Sequence, residues 1–129
     1  MAETLELEIA TPERQVVSES VTDVQIPEKD GYIGILPGHA ALLGLLGAGS
    51  LSYSAGGSKR YLAIQGGFVE VSENHVRVLA DVAEPAAEID VAGAQADLAR
   101  AQASLTTDPE NALKAVALAQ ARIETARHA

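Results

Sequence analysis

No cysteine occurs among the 129 residues, and there is no tryptophan. Without cysteine there is neither a disulfide framework nor a thiolate zinc site, so packing alone must hold the fold, and a reducing cytoplasm suits it. Aromatic side chains are 3% of the chain while 47% is apolar, which describes an aliphatic core in one ordinary domain or in two small ones. Positive charge is scarce as well: nine Lys and Arg stand against 18 Asp and Glu, a formal charge of −9. That sign repels a phosphate backbone and excludes nucleic acid as a partner. The longest apolar stretch, Ala40 to Gly49, is interrupted by glycines and falls well short of the roughly 18 residues a membrane-spanning helix requires. The start of the chain, Met1-Ala2-Glu3-Thr4-Leu5-Glu6-Leu7-Glu8, is acidic where a presequence is basic, so none is expected.

What is present divides near Pro85. Residues 1–85 carry 5 basic and 12 acidic side chains, a charge of −7, and residues 86–129 carry 4 and 6, a charge of −2. Alanine runs the other way, with 9 in the first part and 15 in the second, which gives the second part the stronger helix propensity. In residues 1–85 apolar positions alternate: Leu5, Leu7 and Ile9; Thr22, Val24 and Ile26; then Ile33 and Ile35, Leu51 and Tyr53, Leu62 and Ile64, Val69 and Val71, Val76 and Val78. Many short strands separated by Gly, Pro, Asn and Asp predict a β-sandwich or barrel. Two tight hairpins are expected, at Gly56-Gly57 and at Glu73-Asn74, where positive φ is tolerated.

In residues 86–129 the period is helical. Val91, Ala94, Leu98, Ala101 and Leu105 form one stripe; Leu113, Val116, Ala117, Gln120 and Ile123 form another. Thr106-Thr107-Asp108-Pro109 supplies a stop, an N-cap at Asp108 and a proline at the first helical position, so an antiparallel helical hairpin is predicted. The fold class is therefore α+β: a sandwich over 1–85 and a two-helix hairpin over 86–129. Alanine buries little area, each missing methylene being worth about 0.8 kcal/mol, so the hairpin is expected to dock weakly.

Catalytic constellations are missing. His39, His75 and His128 lie far apart without metal-ligand spacing, no G-x-S-x-G elbow occurs, and the glycine-rich segments at 47–52 and 57–60 fit neither nucleotide-binding template. A non-enzyme is expected, with no metal and no cofactor.

The segment Asp30-Gly31-Tyr32-Ile33-Gly34-Ile35-Leu36-Pro37-Gly38-His39-Ala40-Ala41-Leu42-Leu43 resembles the signature of the ATP synthase epsilon subunit family, roughly G-x-x-G-x-L-P-G-H-A-P-L. Thr11-Pro12-Glu13-Arg14, Val24-Gln25-Ile26-Pro27, Gly66-Gly67-Phe68-Val69-Glu70-Val71 and Val76-Arg77-Val78-Leu79-Ala80-Asp81 follow the family's order and spacing. The resemblance implies a noncatalytic rotor subunit of a proton-translocating F-type ATP synthase. Its partners would be the gamma subunit, the c ring and the alpha and beta subunits, and it would meet the membrane only through the complex, on the cytoplasmic face of a bacterial inner membrane.

Taken alone, the run from Ala40 to Leu46 either crosses the core or forms an interface. The resemblance favours a gamma-facing patch drawn from His39, Leu42, Leu43, Leu45 and Leu46, although a lone His in a Pro-Gly-His turn reads on geometry as structural or solvent-facing. The loop with Glu28, Asp30, Gly31 and Tyr32 reads as a solvated turn, and the resemblance assigns it to the c ring, with Tyr32 the best contact. Some bacterial members bind ATP through [I/L]-D-x-x-R-A; here Ile89, Asp90 and Ala94 match, but Gly93 replaces the arginine. Asp90 reads as an N-cap, and Arg122 and Arg127 as solvent-exposed cations, so weak or no ATP binding is expected. Arg100, Lys114, Arg122 and Arg127 are the cations an extended hairpin would offer to alpha and beta, enough for a weak brake on hydrolysis. The alternative is a free-standing nucleotide sensor or adaptor of the same fold.

Overall fold

Alternation of period two becomes eight strands in the computed structural model, which describes residues 3–129. Met1 and Ala2, where the acidic amino-terminal stretch begins, lie outside the described residues. The strands are β1 (Leu5–Ala10), β2 (Gln15–Val21), β3 (Asp23–Glu28), β4 (Gly31–Ile35), β5 (Leu42–Leu45), β6 (Ala48–Ala55), β7 (Ser58–Ser72) and β8 (His75–Pro85). One 3-10 turn, Ala86–Glu88, leads to α1 (Val91–Ala103) and α2 (Pro109–Ala126).

The strands follow the order β2-β1-β8-β7-β6-β3-β4, with β5 on β7. β7 is long enough to serve both layers of the sandwich: residues 58–65 pair with β6 and residues 68–71 with β5, while β8 runs antiparallel along its other edge. Leu5, Leu7, Ile9, Val24, Ile26, Ile35, Leu51, Leu62, Ile64, Val69, Val71, Val76 and Val78 all face the interior, as their spacing predicts. Both expected hairpins form. Gly56 and Gly57 have φ of 58° and 81°, and Glu73 and Asn74 have 50° and 62°, the paired positive values of a two-residue turn. Asn74 is fixed there by accepting from Glu6 N at its carbonyl (2.8 Å) and from Gly38 N at its side chain (2.7 Å).

Two details of the β half differ from the sequence reading. Thr22 is exposed at the bend between β2 and β3, and Val21 takes the inward place. β2 has no counterpart among the expected strands, because Ser18-Glu19-Ser20 masks its alternation; Val17 and Val21 nevertheless point inward. Glu19 of β2 accepts a 2.8 Å hydrogen bond from the Tyr53 hydroxyl. Burial, and then this carboxylate, push the Tyr53 phenol up to about 12. The folded state thus keeps its proton where the unfolded state releases it near pH 10. Stability is expected to fall between about pH 10 and 12, and Tyr53→Phe to remove that part of the slope in urea midpoints measured against pH.

The helices also differ in detail. α2 packs on β6 and β7, and α1 packs chiefly on α2. α2 is therefore buried on two sides, by small residues: Ala112, Ala119, Ala121 and Thr125 are buried, whereas Leu113 is 61% exposed and Gln120 lies in solvent. The expected stripe of Leu113, Val116, Ala117, Gln120 and Ile123 is rotated from the true contact faces, because a single apolar stripe presupposes one neighbour. In α1, Ala94 and Ala101 are buried as expected, while Val91 at its start and Leu105, in the turn beyond its end, are exposed.

Candidate docking surfaces and the hairpin seat

Strand alternation splits the 40–46 run. Leu42 packs partly against the core and Leu46 is buried, so neither stands on the outer face. Leu43 and Leu45 do, at 73% and 60% exposure. Leu45 lies opposite Phe68 of β7, and Phe68 opposite Leu79 of β8, which makes an apolar row across three strands. The next row begins on Leu43 and is ionic beyond it: Leu43 pairs with Glu70, Glu70 with Arg77, and Arg77 with Glu8. Arg77 Nε donates to Glu8 at 3.1 Å, and with His75 it holds the Glu8 carboxyl below its ordinary range. That contribution is present above about pH 4.5 and lost as acid protonates the folded carboxylate. His39 stands in the turn before β5, half-buried, with Nδ1 on its neighbour's carbonyl, Ala40 O, at 2.7 Å.

The turn between β3 and β4 lies over glycines. The Glu28 carboxylate occupies the space a side chain at Gly44 would fill, and a Cβ at Gly47 would stand 2.8 Å from Glu28 O. Lys29 N donates to Leu45 O, and Gly47 N to Pro27 O, both at 2.9 Å. The Tyr32 hydroxyl lies over Gly49 and accepts from Ser50 N at 2.9 Å, while its side chain remains 58% exposed. Asp30 and Gly31 form the solvent-facing tip.

Arg122 is not the solvent-exposed cation the sequence indicated. Its side chain is 17% exposed and donates to both oxygens of Glu84, at 2.7 and 3.4 Å, and to Asp97 at 3.5 Å. The Glu84 hydrogen bond, foremost, raises its pKa further. One guanidinium thereby ties the end of β8 to both helices. Arg122→Gln is expected to loosen the hairpin by about 1–2 kcal/mol, seen as faster amide exchange along α2 with the sandwich strands unchanged.

The other cations are dispersed. Arg100 pairs with Asp97 at 2.8 Å, Arg127 with Glu124 at 2.9 Å, and the Lys114 carbonyl accepts from Gln65 at 2.9 Å. Asp90 caps α1 by accepting from Gly93 N at 3.0 Å, so Gly93 lies in the first turn, not the helix interior. An open cleft of about 460 Å³ between the helices is lined by Asp97, Arg100, Asn111 and Arg122, among others. Of the residues considered for nucleotide, Arg122 lines it; Ile89, Asp90, Ala94 and Arg127 do not. Among the described residues no group of three or more His, Cys, Asp or Glu could hold a metal ion, and no helix is long and apolar enough to cross a membrane.

Sequence reasoning missed Phe68 and Leu79 as outer-face residues, although their place opposite the inward phase of Val69, Val71, Val76 and Val78 carried that signal. Glu84 as the partner of Arg122 had no local signal, the two being 38 residues apart.

The description ATP synthase, Delta/Epsilon chain, beta-sandwich domain matches residues 4–86. A protein of Solibacter usitatus named ATP synthase epsilon chain is 57% identical over 131 aligned positions, covering 98% of each chain. Another so named, from Koribacter versatilis, is 50% identical over 92 positions, 71% of this chain and 65% of its own. Among solved structures, a chain of the Euglena gracilis mitochondrial ATP synthase, in an assembly described as OSCP/F1/c-ring, superposes with a TM-score of 0.84 at 25% identity, over 97% of this chain and 82% of that one.

Proposed function

This chain belongs to the ATP synthase delta/epsilon family as a noncatalytic subunit of the complex, and from that premise we propose that it joins the gamma subunit to the c ring within the central stalk. The observation that carries the reading is the apolar row Leu45, Phe68 and Leu79, extended by Leu43, on the outer face of an otherwise acidic sandwich. Exposed leucines and a phenylalanine aligned across three strands make a patch that binding a partner would dry, and gamma is the partner assigned to it. The rigid turn with Glu28, Asp30, Gly31 and Tyr32 is assigned to the c ring. It presents the Asp30 carboxylate and an amphipathic ring, its backbone is bonded to Leu45 and Gly47, and the Tyr32 hydroxyl is bonded to Ser50 of β6. His39 contributes to the turn beside the gamma-facing row.

Coupling by such a subunit is mechanical: it transmits torque and performs no bond chemistry. Its place is peripheral, on the cytoplasmic face of a bacterial inner membrane, held there through its partners. The side chains of Arg100, Lys114 and Arg127 lie outside the hairpin seat and are the cations for contact with alpha and beta; Arg122 becomes free for that role only after breaking from Glu84 and Asp97. The brake on hydrolysis is therefore weak. Truncation after Asp90 should raise ATP hydrolysis by the assembled complex modestly, and an unchanged rate would remove the regulatory part of the reading.

ATP binding is expected to be weak or absent, since Gly93 supplies no cation and Arg122 is already engaged by two carboxylates. Calorimetry on the purified chain checks this, and a micromolar dissociation constant would reverse it. The test of the main reading is co-purification with gamma. The wild-type chain should form a stable complex that Leu45→Asp abolishes, and failure of the wild type to bind gamma would defeat the assignment.

A further inference from the structure

Ser50 stands between two hydrogen bonds that join distant parts of the chain. Its backbone N–H lies on β6 beyond the residues paired with β3, which are Ser52, Tyr53 and Ser54, and it donates to the Tyr32 hydroxyl at 2.9 Å. Its own hydroxyl accepts from the Thr125 hydroxyl of α2, also at 2.9 Å. Thr125 is fully buried, whereas the Tyr32 side chain is more than half exposed. An outward-facing turn and the inner face of the docking helix thus meet on one residue.

The seat of α2 makes this junction matter. Its buried residues are three alanines and Thr125, so each contact removes little apolar area, and polar contacts carry a larger share of the docking. Those contacts are Thr125 on Ser50, Gln65 on the Lys114 carbonyl and Arg122 on Glu84. A helix held in this way leaves its seat at lower free energy than the strands of the core separate.

We propose that Ser50 couples the turn bearing Tyr32 to the seating of α2, so that drawing the Tyr32 hydroxyl off Ser50 loosens the helix. A partly buried N–H left without an acceptor favours a shift of this end of β6 toward water, and the same shift carries the Ser50 hydroxyl away from Thr125. Linkage makes the coupling reciprocal: release of α2 frees Tyr32. A molecule that engages the exposed ring from outside has the leverage to pull the hydroxyl away. The coupling lies within one chain, so it goes beyond the proposed function and does not depend on which partner engages the turn.

Amide hydrogen exchange on the full chain, resolved by NMR, tests the idea. Tyr32→Phe keeps the ring and removes the acceptor; it should speed exchange along α2 at least roughly fivefold, with β1 and β8 core amides unchanged, as loss of one hydrogen bond implies. Ser50→Ala should produce a similar acceleration, and adding Tyr32→Phe to Ser50→Ala should bring little more. In the other direction, Thr125→Val should speed exchange at the Ser50 amide, which keeps the test open if Tyr32→Phe folds poorly. Unchanged α2 exchange in Tyr32→Phe, or full additivity of the Tyr32 and Ser50 substitutions, overturns the coupling. So does an unchanged Ser50 amide in Thr125→Val.

Discussion

Phe68→Asp is expected to weaken binding to gamma about a hundredfold, or by about 3 kcal/mol, while the isolated chain stays folded. Phe68 is the middle member of the row, with Leu45 on one side and Leu79 on the other, so an interface formed there would bury it most completely. Burying a phenylalanine side chain contributes about 1.5–3 kcal/mol, and a carboxylate forced into the same dry position adds its desolvation cost. The folded chain alone loses much less. At 44% exposure Phe68 points away from the core, and an aspartate on the outer face of a strand costs about 1 kcal/mol. Titration of purified gamma with both chains measures the difference. Undiminished affinity in Phe68→Asp would move the gamma contact to another face. Leu42→Asp serves as the contrast, since Leu42 packs against the core and its replacement should lower stability before it touches binding.

How far the sequence could be read follows from which contacts are local. Strand phase is local: Leu5, Leu7 and Ile9, or Val76 and Val78, declare their inward face within a few residues, and the Gly56-Gly57 and Glu73-Asn74 turns declare where the chain reverses. The N-cap at Asp90 is equally local. The same logic, pursued one residue further, splits Leu42 and Leu46 from Leu43 and Leu45, but an apolar run fills both phases and conceals the split. β2 is hidden for the opposite reason, because its few valines flank a polar centre whose partner, Tyr53, is 34 residues away in sequence. The contact faces of α2 are not legible in its stripe, because helical periodicity reports that a helix is buried and says nothing of how many neighbours bury it. Arg122, Glu84 and Asp97 come together only when the hairpin folds back on β8, so no spacing in the sequence could announce them.

Function follows from the same division. The elements that would meet partners are fixed by long ladders: the outer row is carried on β5, β7 and β8, and the turn with Tyr32 is pinned to the adjoining ends of β5 and β6. The hairpin rests instead on small buried residues and a few polar or stacking contacts, those of Thr125, the Lys114 carbonyl, Arg122 and His128. A subunit that transmits torque through one part and adjusts with another needs this inequality, because a contact that carries torque has to be stiffer than one that lets go.

Gly67→Ala is expected to destabilise the chain by about 3 kcal/mol, through two additive causes. Gly67 has a φ of 97°, where a side chain is strained, and a Cβ there would run into the Leu79 carbonyl of the paired strand β8. Backbone cannot swing aside as the end of a side chain can, so the ladder between β7 and β8 must open. Gly57 separates the causes: its φ of 81° is similarly unfavourable, but nothing lies near the added atom. Gly57→Ala should therefore cost only the conformational part, about 1–2 kcal/mol. Urea unfolding followed by far-ultraviolet circular dichroism gives both values, and the thermal midpoint of Gly67→Ala should fall by about 10 °C. Equal costs at the two glycines would mean that β8 yields to the new methyl. A larger cost at Gly67 has a functional corollary. This glycine marks the point where β7 leaves β6 for β5, and Phe68 follows it directly, so any displacement of β8 there drags Leu79 out of line with Phe68 and breaks the row before gamma arrives.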